Sequence, residues 1–478
     1  MSTLRSLRLL GAVEAGTVTG TQLQTYLTDA GRSSEFSVLL SNRGQSRRMA
    51  ASPLTMAAIV GSTVATNIVF QAATDTTSAA CQAVVNSAVA MYAVANNPPS
   101  LTVLAANLVA WKLFNKSMYY ETNVKTVIAN YAGVNPTIYP TVTSLITDPI
   151  AMSDIAGTPN AMNAVVASPA TTAIMASSGT AMALVTGNSV AIGIVAAQTA
   201  AMAVIANSTT AMGAIVASSS SMSSMAAQPG AVAAIASSSA AWASYMGSSY
   251  FSANLPTTLA NIIGVSPSAF PTLSAMIASA PTLALIAKNT TAVQALASNS
   301  AAMTTLAGSS NIGVILGSAT AMAVIGPNTT AMGSFLGAAG AWAGLFASSI
   351  AKGYIVSTTA LVDIVAANSA LITYLKSISV MTSATGIPDG NATSLQPFSG
   401  IPAKVLVLLA KEAGIAATYS PYNFGGSPMA GAQAGATLSL TAAAQLAHVA
   451  GYTNMTWNLQ GIGVTAATLP IITYVDMT

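Results

Sequence analysis

The stretch "ATTAIMASSGTAMALVTGNSVAIGIVAAQTAAMAVIANSTTAMGAIVASSSSMSSM", Ala170–Met225, contains no charged residue. Its register decides the fold. Set in rows of ten, the chain lines up its large apolar side chains in columns. One column reads Met152, Met162, Thr172, Met182, Ile192, Met202, Met212, Met222, Val232 and Trp242. A second, three residues on, reads Ile155, Val165, Met175, Val185, Val195, Ile205, Ile215, Met225, Ile235 and Tyr245. Most residues between the columns are Ala, Gly, Ser or Thr. A fixed period held without a gap for ten units marks a repeat architecture.

Apolar residues at i and i+3 share one face of a helix, whereas in a strand they point to opposite faces. Four residues before the first column stand Asp148, Thr158, Ser168, Ser178, Asn188, Gln198, Ser208, Ser218, Gln228 and Ser238. All but the two glutamines are good N-cap types, able to accept a bond from a free backbone N–H. Pro149, Pro159, Pro169 and Pro229 follow at the first helical position, where proline is tolerated. Each decapeptide thus reads as a cap, about two helical turns and a tight break. One unit cannot stand alone. Burying two large apolar side chains contributes about 3–6 kcal/mol, while ordering ten residues costs about 10–20 kcal/mol of backbone entropy. Stacking, which also buries the alanines, closes that gap and predicts a solenoid of short helices, two to a layer.

Composition excludes several classes. The chain is 53% hydrophobic and 5% charged, superficially a bilayer composition. Yet a cluster of Ser, Thr, Asn or Gly recurs in every decapeptide, and no apolar run reaches the length of a span. The opening "MSTLRSLRLLGAVEAG" has an apolar stretch too short for a signal peptide. No membrane insertion is expected, and the regular apolar columns exclude disorder.

A longer repeat lies above the short one. "WKLFNKSMYYETNVKTVIANYAGVNPTIYPTVTSLI" from Trp111 aligns without a gap on "WASYMGSSYFSANLPTTLANIIGVSPSAFPTLSAMI" from Trp242. Trp and Tyr fill the void where a stack of small residues turns or stops, so residues 111–146 and 242–277 are read as aromatic corner modules. A sugar-binding aromatic face is the other reading, which the spacing alone does not support.

The fold class expected is mainly α, with a small helical domain before the solenoid and a small antiparallel β domain after it. All six arginines fall among residues 1–50, read as a basic helical attachment domain in which Arg43, Arg47 and Arg48 are the docking candidates. They are too sparse, and too free of interleaved aromatics, to indicate nucleic acid. Residues 51–380 hold the repeats. Residues 381–395, rich in turn formers, read as a linker. Residues 396–478 contain strand-like runs and are read as a β-rich globular domain, with "AKEAG" (Ala410–Gly414) as a hairpin turn and a helix over Lys404–Lys411 as the alternative for its first element. Tyr419, Tyr422, Tyr452 and Trp457 are the candidates for a binding tip there.

Catalytic chemistry is sparse. The chain has one histidine, His448, and one cysteine, Cys81, read as a half-buried residue and a core filler. One of each gives no zinc set. Asp148 reads as a helix cap rather than half of a carboxylate pair, and no P-loop, dinucleotide fingerprint or nucleophile elbow is present. No enzyme, no cofactor and no metal are expected. The run from residue 155 to 287 has no charge at all, and such a surface packs against copies of itself with little repulsion.

Decapeptides such as "AMAVIANSTTAMGAIVAS" (Ala201–Ser218), following "AGTVTGTQLQTYLTDAGRSSEFSVLLSNRGQSRRMAASP" (Ala15–Pro53), resemble virion structural proteins of tailed bacteriophages, of the tail-fibre or appendage type. The resemblance covers roughly residues 10–350. It implies a structural role: a rigid arm in the virion, bound to other virion proteins and to copies of itself, with a basal dock and a tip or joint. It brings no catalytic residues. Host-surface receptor binding through the C-terminal β domain is the alternative. An ice-binding solenoid would need regular outward Thr columns, which are missing, and a bacterial surface adhesin would normally carry a secretion signal.

Overall fold

Ser168 shows how a single residue turns the chain. It ends the helix Pro159–Ala167 and begins Pro169–Ser177 in an extended conformation, φ −109° and ψ 123°. Its N–H donates to Val165 O, and its Oγ accepts from the N–H of Thr171 at 3.3 Å. Thr158, Ser178 and Gln198 hold the same double position. The computed structural model in which these corners are seen describes residues 2–29, 32–70, 72–73, 76–383, 396–397, 404–411, 417–422, 438–440, 445–453, 456–461 and 471–478. It is mainly helical. All ten cap positions named above precede a helix. Of the eight cap-type residues, only Thr158 makes no side-chain cap bond.

The corner sets the layer. The axes of Gly179–Thr186 and Ser189–Ala197 differ by 103°, and those of Thr199–Ile205 and Thr209–Val216 by 105°. Three such turns bring the chain back close to its own direction. Each helix therefore stacks on the one three before it: Ser189–Ala197 on Pro159–Ala167, Thr199–Ile205 on Pro169–Ser177, Thr209–Val216 on Gly179–Thr186. The layer holds three helices, not the two expected from the pattern. Cap side chains join the layers. Ser208 Oγ donates to Ala176 O at 2.6 Å while it accepts from its own helix, and Ser218 Oγ reaches Thr186 O. Each such bond contributes about 1 kcal/mol.

The two columns form the core. Met152, Met162, Met182, Ile192 and Met202 are fully buried, as are Ile155, Val165, Val185, Val195 and Ile205. The alanine before each of these first-column residues is buried too, as at Ala161, Ala181, Ala191 and Ala201. Thr172 breaks the methionine column without leaving an orphan, because its Oγ1 donates to Ser168 O at 2.8 Å.

The chain forms two compact units, Met1–Phe251 and Ser252–Thr478. In the first, the basic segment follows the same stacking rule. Gly20–Thr28 packs on Pro53–Val60, Arg32–Ser41 on Thr63–Phe70, and Arg43–Ala51 on Ala79–Val85. What distinguishes residues 1–50 is charge rather than packing. Thr19 and Gln22 form a capping box at the start of Gly20–Thr28. Gly20 meets Gly61 so closely that a Cβ there would fall 2.6 Å from the Gly61 Cα. The repeat frame is interrupted between Thr63–Phe70 and Ala79–Val85 by a short antiparallel pair, Ala72–Ala73 with Thr76–Thr77.

Also in the first unit, the aromatic module around Trp111 is a joint inside the stack. Its long helix, Tyr120–Ala132, packs on Ala88–Ala95 and Pro98–Ala106 of the preceding coil and on Pro149–Gly157 and Pro159–Ala167 of the next. Trp111 and Phe114 stack with centroids 6.0 Å apart, and Tyr120 and Tyr131 meet Trp111 edge-on. Tyr120 donates its hydroxyl to Ala164 O, Tyr131 to Leu101 O, and Asn130 its amide to Ala95 O. Gly133 closes the helix at φ +73°, with Val134 N bonded to Ala129 O, a Schellman cap. Of the later module, the first unit holds Trp242 stacked on Tyr245, with Phe251 edge-on to both.

In the second unit the three-helix rule continues: Thr290–Ala297 packs on Leu255–Ile263, and Ala319–Ile325 on Thr290–Ala297. Ser318 Oγ donates to Ala287 O, Ser348 Oγ to Leu316 O, and Asn368 Nδ2 to Leu336 O. The described strands then pair antiparallel in two sets. Val380–Ser383, Ile471–Asp476, Lys404–Lys411 and Gln445–Thr453 form one, in that order; Gln396–Pro397, Thr456–Gly461, Ala417–Tyr422 and Leu438–Leu440 form the other. The first set lies against Ser349–Ser357, Thr359–Ala367 and Ser369–Ile378.

Lys404–Lys411 is a strand, as its strand-like run suggested, and not the helix that was the alternative. Two local expectations change. The strands on either side of "AKEAG", Lys404–Lys411 and Ala417–Tyr422, belong to different sheets and so do not pair as a hairpin; residues 412–414 lie outside the described residues. Met381–Ser383, assigned to the linker, extend a strand paired with Ile471–Tyr474; residues 384–395 lie outside the described residues.

Candidate functional site

The charged residues of the first unit divide into those held and those free. Arg48 pairs with Glu14. Arg32 lies over the Tyr26 ring, 4.6 Å from its centroid, and donates to the Tyr26 hydroxyl, which raises the guanidinium pKa further. Arg43 and Arg47 are exposed and, among the described residues, make no ion pair. Both line a groove of about 440 Å³ between Arg43–Ala51 and Ala79–Val85, floored by Ala50, Ala83 and Ser87. The structure therefore places Arg43 and Arg47 together at one groove and holds Arg48 by its own partner.

The four aromatic tip candidates separate. Tyr419 and Tyr422 lie on Ala417–Tyr422, paired with the strand that carries Trp457; Pro421 stands opposite Trp457 and Tyr422 opposite Thr456. Tyr452 lies in the other sheet, opposite Val405. Three of the four share a sheet.

Asp148 and Cys81 have structural surroundings. Asp148 caps Pro149–Gly157 by accepting from Ala151 N at 2.8 Å and also accepts the Tyr139 hydroxyl. Cys81 is fully buried, and desolvation pushes its thiol up to about 12. His448 sits on Gln445–Thr453 where the pairing with Lys404–Lys411 slips. No group of three metal-ligating side chains converges among the described residues. No single described helix is long and apolar enough to cross a membrane; five consecutive pairs reach that length and composition together but bend by 96° to 113° at their breaks.

One concavity was not foreseen. A cleft of about 480 Å³ opens beside the Trp111 joint, lined by Trp111, Tyr131, Lys112, Asn115, Asn160 and Asn163 among others. It exists because the joint breaks the three-helix register. Leu108–Asn115 packs on Pro98–Ala106 but makes no substantial contact with Pro149–Gly157, the helix three places on. Its residues come from helices far apart in the chain, so no local motif announces it.

No protein-family model matches the chain, and no curated protein matches it.

Proposed function

We propose that the chain is a structural protein of a tailed-phage virion, a stiff arm that connects or presents terminal domains. The observation that carries this is the layer-to-layer seam: core columns, stacked helices and cap side chains repeat so regularly that each coil is tied to the next by both packing and hydrogen bonds. Stiffness follows, since no layer can rotate without breaking both. The uncharged run from 155 to 287 suits close contact with copies of the chain or with other virion proteins. Arg43 and Arg47, free at their groove, are the basal contact for an acidic partner. The strands described within 396–478 are the part that this arm presents. Gold-labelled antibody against the chain should decorate intact particles at one fixed position in electron micrographs; labelling only of debris or host membranes would refute the assignment.

The second reading is host-receptor binding by that terminal domain, favoured by Tyr419, Tyr422 and Trp457 sharing a sheet. The full chain should then bind host cells, and Trp457→Ala should abolish binding without lowering the helical signal. Particle decoration without cell binding would leave the structural role alone.

A further inference from the structure

We infer that the cleft beside Trp111 is a binding site for an acidic saccharide. Among the described residues, asparagine is otherwise structural. Asn42, Asn97, Asn107, Asn188, Asn289, Asn299, Asn328 and Asn368 cap helices, while Asn67, Asn86, Asn96, Asn123, Asn130, Asn207 and Asn311 donate to backbone carbonyls. Among asparagines whose side chains are described, only Asn115, Asn160 and Asn163 make no hydrogen bond within the chain. All three line the one cleft, and all three are half-buried. Each amide offers a donor and an acceptor side by side, the pattern that adjacent sugar hydroxyls match.

The other walls fit the same ligand. Trp111 is half-buried, and Tyr131 meets it at 5.9 Å with its hydroxyl already donated to Leu101 O, so the pair presents apolar ring surface. A saccharide offers C–H faces to such surface and hydroxyls to the amides. Lys112 and Lys116, four residues apart, are exposed at the rim and, among the described residues, unpaired. They supply two positive charges, which selects a carboxylated sugar over a neutral one. Two cations are too few for a nucleic-acid backbone track. The volume falls in the range of about 300–1,000 Å³ typical of small-molecule sites.

The second module supplies an internal control. At the matching places it has Trp242, but Ala243, Met246, Gly247 and Ile262 in place of Lys112, Asn115, Lys116 and Tyr131. Trp242 is only 4% exposed. The aromatic cluster of Trp242, Tyr245 and Phe251 packs without the polar cleft residues, so burying such rings does not require them.

The test uses the full chain and follows tryptophan fluorescence during titration with hexagalacturonate, with maltohexaose and a hexathymidylate as the neutral and the phosphate-charged counterparts. Hexagalacturonate should give a saturable change that vanishes in Trp111→Phe, although the other three tryptophans remain. Lys112→Gln with Lys116→Gln, and separately Asn160→Ala with Asn163→Ala, should each weaken binding by about tenfold at unchanged melting temperature. No saturable change through the millimolar range would overturn the inference. So would equal binding of hexathymidylate, which would reduce the site to a polyanion patch, or equal binding of maltohexaose, which would remove the role of the lysines.

Discussion

Trp111 and Trp242 begin two versions of one module, and the versions have diverged in a consistent direction. Both modules end their principal helix on a glycine at φ +73°, Gly133 and Gly264, and both close the same Schellman bond, Val134 to Ala129 and Val265 to Ala260. The backbone device is shared. Side-chain chemistry is not. Glu121, Lys125, Tyr139 and Asp148 of the first module correspond to Ser252, Pro256, Phe270 and Ser279 in the second. In the first, Lys125 Nζ donates to Pro136 O and Tyr139 O, Ser168 donates to Glu121, and Tyr139 donates to Asp148. One module is held by polar ties and leaves its tryptophan half open; the other buries its tryptophan. The lesson is that the capped turn and the ring cluster recur, while the polar coat is free to vary.

The comparison can be broken most directly at the tryptophans. Trp242→Ala removes a buried side chain and should cost about 3–5 kcal/mol, read as a large fall in melting temperature by circular dichroism. Trp111→Ala, at a half-buried site, should cost clearly less. Equal losses would mean that the first module depends on its ring as much as the second does.

Alkaline pH separates the modules next. Tyr120, Tyr131 and Tyr139 all have raised pKa values, chiefly through burial, and their counterparts Phe251, Ile262 and Phe270 cannot ionise. A folded-state pKa above the unfolded value near 10 means that stability from the neutral phenols is complete below pH 10 and is lost as pH rises beyond it. Hydrogen exchange above pH 10 should therefore open Tyr120–Ala132 before Leu255–Ile263. Simultaneous opening would show that the tyrosines contribute nothing specific.

The glycines sharpen the shared part. Gly133→Ala and Gly264→Ala each place a side chain in the left-handed region, at about 1–2 kcal/mol, and a Cβ at either glycine meets no atom within 4 Å. The two losses should match; a marked difference would mean that the caps carry unequal strain. Cys81 gives the smallest effect. Its thiol, pushed up to about 12 by burial, should resist thiol reagents at pH 8 in the folded chain and react once denaturant unfolds it. Rapid labelling of native protein would show that the packing around Ala79–Val85 opens readily.

The ten-residue frame, the helix caps and the core columns were legible because each depends on neighbours within one decapeptide. Ser168, Ser178 and Asn188 cap where spacing said they would, and Met182 and Val185 are buried as the column required. Asp148 likewise read correctly as a cap. Spacing carries no information where distant segments meet. Arg48 looked as available as Arg47 because Glu14, its partner, lies thirty-four residues away. Tyr452 could not be told from Tyr419 because strand order, not spacing, assigns them to different sheets.

Periodicity and capping within each decapeptide give the short capped helices and turn the large side chains of the two columns inward. Helix periodicity and capping are short-range and pay no heed to what lies beyond the next turn. That three helices close a layer follows from tertiary packing, because the count depends on the bend at each extended corner residue and on how layers seat on one another. Tertiary packing alone also brings Asn115, Asn160 and Asn163 to one cleft, since an unpaired amide can be recognised only after the other described amides have found their partners.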